Sequence, residues 1–136
     1  MPADFAARAL DGGNYRLSEY RGDVVALVFW GTWCGDCRAR LVTVERLWRT
    51  YAPAGLMAIG VNLDEKPDAA RALMRAIGTT FPSVRDTNKR ISREFDVDAL
   101  PMVVLLDRSG GVRFVSRGAA DDHASTTDMV RRLLDE

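Results

Sequence analysis

Cys34 and Cys37 are the only cysteines in the chain, and they sit two residues apart in "LVFWGTWCGDCRAR". A pair at this spacing can cycle between dithiol and disulfide: an outer thiolate attacks a foreign disulfide, and the inner thiol resolves the mixed disulfide. It can also be half of a metal site, or an inert staple. A structural zinc site takes about four ligands. Beyond the cysteines the chain offers one histidine, His123, far along the sequence, which reads as a surface residue. A staple closing so short a loop removes little freedom from the unfolded chain. The redox reading is therefore the one to carry forward, with no metal expected.

For that chemistry the two thiols need different surroundings. "DVVALVFW", Asp23 to Trp30, is continuously apolar, as a strand buried on both faces is. A helix is expected from about Gly35 to Tyr51, with Leu41, Val44, Trp48 and Tyr51 on one face. Cys34 then lies in the loop after the strand, and Cys37 in the first turn of the helix. Unpaired N–H groups at a helix N-terminus favour a thiolate. Such a setting can bring a thiol pKa from about 8.5 down to roughly 3.5–7.5. Cys34 is expected to be exposed and Cys37 shielded by helix and sheet.

Further along, "GLMAIGVN" (Gly55 to Asn62) reads as a second buried strand. A helix follows from Pro67, with Ala70, Leu73, Met74 and Ile77 as its apolar stripe, and Gly78 ends it. A short helix is expected over Asn88 to Phe95, and a third apolar strand over "PMVVLL", Pro101 to Leu106. "DRSGG" then turns the chain into a hairpin partner, "VRFVSR", Val112 to Arg117, and a last helix runs from about Asp121 to the end. The opening segment reads as a small β-hairpin turning at Asp11 to Gly13, followed by a short helical turn. Strands alternating with helices give an α/β fold, with a mixed central sheet, helices on both faces and an N-terminal hairpin.

A length of 136 residues suits one domain, residues 1–136, with one core. Hydrophobic residues make up 47% and charged residues 28%, an ordinary globular balance. Nineteen basic residues match nineteen acidic ones, so no net charge draws the chain to nucleic acid or an anionic membrane. No apolar run is long enough to span a bilayer, and the start lacks the pattern of a signal peptide. The chain is thus either cytoplasmic or the soluble part of something longer. No Gly-rich phosphate loop occurs, and no cofactor is expected.

"FWGTWCGDC", with "ALP" some sixty residues later, resembles the thioredoxin superfamily, and more narrowly its TlpA/ResA-type thiol-disulfide oxidoreductases. The resemblance covers nearly the whole chain. It implies Cys34 as nucleophile, Cys37 as resolving thiol and Trp33 as the aromatic flanking the site. Pro101 is implied as a cis-proline facing the cysteines, with the backbone of Leu100 pairing with an extended substrate. Without the resemblance, Pro101 reads as a trans proline opening an edge strand. The resemblance further implies a protein disulfide or thiol substrate, an upstream thiol protein as electron donor and a monomer. It implies an extracytoplasmic site, periplasmic or membrane-tethered, and a part in keeping apocytochrome thiols reduced.

Peroxidase chemistry fits less well. The peroxiredoxin pattern has Thr three residues before the attacking cysteine; Gly31 stands there, and Thr32 is one place off. The chain also departs from the pattern it resembles. Gly35 and Asp36 lie between the sulfurs as tuning positions, and Asp36 stands where many relatives have proline. Val28 replaces a buried aspartate thought to move protons for the inner cysteine. Arg40 and Val42 replace an acidic residue and a proline. Asp36 reads either as a substitute proton carrier or as a favourable acid near a helix N-terminus. The alternative function is a redox-inactive binding module of the same fold.

Overall fold

The computed structural model describes residues 2–118 and 123–136. The chain opens with a hairpin, β1 (Ala6–Arg8) and β2 (Asn14–Arg16), and a 3-10 turn at Leu17–Tyr20. The sheet that matters comes next. Strand β3 (Val24–Trp30) is buried at every position. Full burial of a Val, Leu or Phe side chain is worth about 1.5–3 kcal/mol, so this one run supplies much of the core. It pairs in parallel with β4 (Leu56–Asn62) and antiparallel with β6 (Met102–Leu106). Strand β7 (Val112–Arg117) adds the antiparallel edge, and the full order is β5-β4-β3-β6-β7.

Strand β5 (Ser83–Arg85) is not among the strands expected from sequence. It is three residues long, too short to show an alternation, and Pro82 precedes it. A neighbour explains its place. Gly60 of β4 pairs with Ser83, and a Cβ on Gly60 would collide with the Ser83 hydroxyl. The Trp30 indole N–H donates to that same hydroxyl at 3.1 Å. A bare backbone at residue 60 lets the bond cross.

The helices are α1 (Cys37–Tyr51), α2 (Pro67–Ile77), α3 (Arg90–Glu94) and α4 (His123–Asp135). Alternate residues of β3 face opposite ways. Val24, Ala26, Val28 and Trp30 meet Leu41 and Val44 of α1, Ala70 of α2, and Val130 and Leu133 of α4. Val25, Leu27 and Phe29 meet Phe5, Leu17, Ile91 and Phe95, from the N-terminal segment and the α3 region. The expected mixed sheet with helices on both faces is the fold observed. Helix α1 begins two residues later than its sequence signal. The expected start of the last helix, Asp121, lies outside the described residues, and His123 is exposed.

Candidate active site

Cys37 is shielded as the strand and helix around it implied, whereas Cys34, expected to be exposed, is partly buried. Cys37 opens α1 and has no exposed surface. It lies in the core layer with Val28, Trp30 and Leu41. Cys34 is half-buried in the turn ahead of the helix. The sulfurs are joined as a disulfide. The turn is tight: the Cys34 N–H donates to the Gly31 carbonyl at 3.2 Å, and the Cys37 N–H to the Cys34 carbonyl at 3.3 Å.

Cys34 opens onto a shallow groove of about 480 Å³, lined by Trp33, Asp36, Leu63, Asp98 and Leu100 among others. Trp33 is 63% exposed, the largest apolar side chain so placed among the described residues. Its ring folds back over Gly31, where an added Cβ would lie about 2.6 Å from ring carbons. The Leu100–Pro101 peptide is cis, as the resemblance implied. The structure thus brings Trp33, Cys34, Gly35, Asp36 and Leu100 to one groove, while Pro101 is buried behind it.

The other family departures are equally plain. Val28 is fully buried in the same core layer as Cys37, so no ionisable side chain stands at that position. Arg40, one turn into α1, donates to the Ser116 hydroxyl of β7 at 2.8 Å. Asp36 occupies the N-cap of α1, is exposed and makes no side-chain capping bond. Among the described residues there is no group of three or more His, Cys, Asp or Glu able to hold a metal.

Sequence reasoning missed a set of polar residues beside the cysteines. Asp64, 8% exposed, accepts from the Thr32 hydroxyl at 2.5 Å and the Thr32 N–H at 3.0 Å. Asn62, 1% exposed, donates to the same carboxylate at 2.8 Å, and its carbonyl accepts from the Asp64 N–H at 3.1 Å. No short motif links these residues. The available signal was the parallel pairing of β3 with β4, which keeps a constant offset.

A family model, the AhpC/TSA family, matches residues 1–115. The chain belongs to the AhpC/TSA family. Within this thioredoxin-like family its likeness is to ResA-type proteins, as the motif implied. It is 34% identical over 115 residues to the thiol-disulfide oxidoreductase ResA of Geobacillus kaustophilus, covering 85% of this chain and 66% of that one. It is 30% identical to ResA of Bacillus subtilis, covering 85% and 64%. The chain therefore spans just under two thirds of the length of these curated relatives. A Chlorobium tepidum structure, assigned as a thiol:disulfide interchange protein DsbE, superposes with a TM-score of 0.92 at 28% identity, covering 98% and 94% of the two chains.

Proposed function

We propose that this chain is a thiol-disulfide oxidoreductase working through Cys34 and Cys37. The observation that carries it is the asymmetry of the pair: one sulfur at the groove, the other sealed in the core. The Cys34 thiolate attacks a substrate disulfide, forming a mixed disulfide and releasing one substrate thiolate. The Cys37 thiol, deprotonated, then displaces the second substrate sulfur and closes the Cys34–Cys37 bond. The substrate leaves as a dithiol, two electrons richer. A helix N-terminus beneath the cysteines supports the thiolate in both steps.

The groove is shallow, which suits an extended protein segment beside Trp33 and Leu100 better than a deeply held small molecule. The Leu100 backbone is the edge on which such a segment would add as a strand, with Pro101 setting its direction. Residues 1–136 act as a single domain and as a monomer. An upstream thiol protein returns the electrons. We place the protein outside the cytoplasm, in keeping with its likeness to ResA-type proteins, with apocytochrome thiols among its substrates.

The test is insulin reduction with dithiothreitol, together with trapping. Cys34→Ser should abolish exchange and trap nothing. Cys37→Ser should accumulate a stable adduct through Cys34. An adduct through Cys37 in the first variant would reverse the order of attack. An inert wild type would leave a binding module of the same fold.

A further inference from the structure

We propose that Asp64 is a positioning residue for the Cys34 thiol, acting through Thr32; this rests on the thiol-disulfide reading above. Strands β3 and β4 pair with a constant offset of 32 residues, from Val24 opposite Leu56 to Trp30 opposite Asn62. Beyond Trp30 the strand ends. Continuing the same register puts Thr32 opposite Asp64, and a side chain takes over where the ladder stops. One carboxylate oxygen receives the Thr32 hydroxyl, the other the Thr32 N–H and the Asn62 amide. The Leu63 N–H donates to the Trp30 carbonyl at 2.9 Å, closing the backbone on the same level.

This clamp sits two residues before Cys34. Cys37 is held independently, by α1 and the core. How closely the two sulfurs stay together therefore depends on the turn, and the turn is gripped at Thr32. Charge-assisted bonds in a buried site are stronger than neutral exposed ones. Freeing Thr32 would let Cys34 sample more positions. That lowers its effective concentration toward Cys37 and toward a disulfide lying in the groove. Attack on a freely diffusing electrophile needs no such fixed placement.

The experiment equilibrates the protein with glutathione. Protein dithiol and glutathione disulfide give protein disulfide and two glutathione thiols, so the equilibrium constant reads how readily the pair closes. Asp64→Asn should lower that constant about tenfold, equivalent to about 30 mV toward a more oxidising potential. Removing the charge also changes the electrostatics of Cys34, so Thr32→Val is the decisive variant. It deletes the hydroxyl, leaves every charge in place and should lower the constant about threefold. Thr32→Ser, which keeps both bonds, should restore the wild-type value. Iodoacetamide alkylation of Cys34, corrected for thiolate fraction, should be unchanged in all of them. The proposal is overturned if Thr32→Val leaves the constant at the wild-type value, whether or not Asp64→Asn shifts it. It is equally overturned if both variants lose only melting temperature. A wild type unable to reduce insulin would sink the function proposed above, while the glutathione equilibrium would still decide this point.

Discussion

Two carboxylates of nearly equal burial grip a threonine in the same way and lead to different places. Asp64 takes the hydroxyl and the N–H of Thr32. Glu45, on α1 and 7% exposed, takes the N–H of Thr80 at 2.7 Å and its hydroxyl at 2.6 Å. Each gathers further donors: Asn62 for Asp64, and Arg49 (2.5 Å) with the Phe81 N–H (3.4 Å) for Glu45. Thr32 leads to Cys34. Thr80 leads to Phe81, whose ring meets Trp48 edge-on, and then to β5 at the sheet edge. The shared chemistry of the two clamps does not tell their roles apart. What the gripped loop carries does: a nucleophile in one case, a sheet edge in the other.

The comparison breaks most visibly at Glu45. Glu45→Ala leaves the Thr80 hydroxyl and two N–H groups without their acceptor in a partly buried site. Bonds to charged groups contribute about 1.5–3 kcal/mol each, and an orphaned buried donor costs about 1–3. Several such bonds are not additive, and a net loss of about 3 kcal/mol is expected. At this chain length that lowers Tm by roughly 10 °C. The Cys34–Cys37 equilibrium with glutathione should stay at the wild-type value, measured well below the new Tm. A shift like that predicted for Asp64→Asn would show that the two clamps do not have separate roles.

A smaller effect separates the charge of Glu45 from its shape. Burial alone would raise the Glu45 pKa. The Thr80 hydroxyl and N–H, the Arg49 guanidinium and the Phe81 N–H outweigh it and hold the pKa below the usual value. A carboxyl depressed in the folded state stabilises above its unfolded pKa of about 4.3, and that contribution is lost as pH falls through the folded value. Glu45→Gln should therefore be less stable than wild type at pH 7. The difference should shrink as pH falls below about 4. Denaturant midpoints from pH 7 to pH 2.5 test this. Asp107 supplies a remaining acid slope in both proteins. Its pKa is held at about 2, first by the Ser109 hydroxyl and then by the Gly111 N–H and Arg113 against the opposing effect of burial, so its contribution is full above the unfolded carboxyl pKa and is lost progressively as pH falls from there toward 2. A constant gap between Glu45→Gln and wild type across this range would mean that the Glu45 clamp works by shape alone.

The same contrast explains what could be read from the sequence. Strand β3 was legible because seven consecutive apolar residues are hard to place anywhere but a central strand. The asymmetry of Cys34 and Cys37 was legible because a strand end and a helix start fix which sulfur points outward. Strand β5 was not: Ser83–Arg85 carries no pattern of its own and owes its place to the bare backbone of Gly60. Neither clamp was legible either. Thr32 with Asp64, and Glu45 with Thr80, are joined across 32 and 35 residues, and in sequence each looks like an ordinary polar residue of a turn or helix. Side-chain pairs fixed only by tertiary register leave no local periodicity to find.

The smallest predicted effect concerns Asp36, the acidic residue nearest Cys34 in sequence and the one that makes no clamp at all. Asp36 is exposed at the N-cap of α1, accepts no capping bond and lines the same groove as Cys34. A negative charge within about 4–6 Å of a thiol disfavours the thiolate. Asp36 should therefore keep the Cys34 pKa higher than the helix end alone would set it. A less stabilised thiolate disfavours the reduced form, which makes the pair a better reductant. Asp36→Asn should lower the Cys34 pKa and move the potential toward oxidising. Solvent screening at an exposed site keeps the change small. Thiolate absorbance against pH, at low and high salt, is the measurement. The shift should be larger at low salt, because an exposed charge acts through screened solvent, whereas the effect of Thr32→Val on ring closure should be indifferent to salt. An unchanged or higher Cys34 pKa in Asp36→Asn would mean that the carboxylate points into solvent and tunes nothing. The electrostatic setting of Cys34 would then belong to the helix end alone.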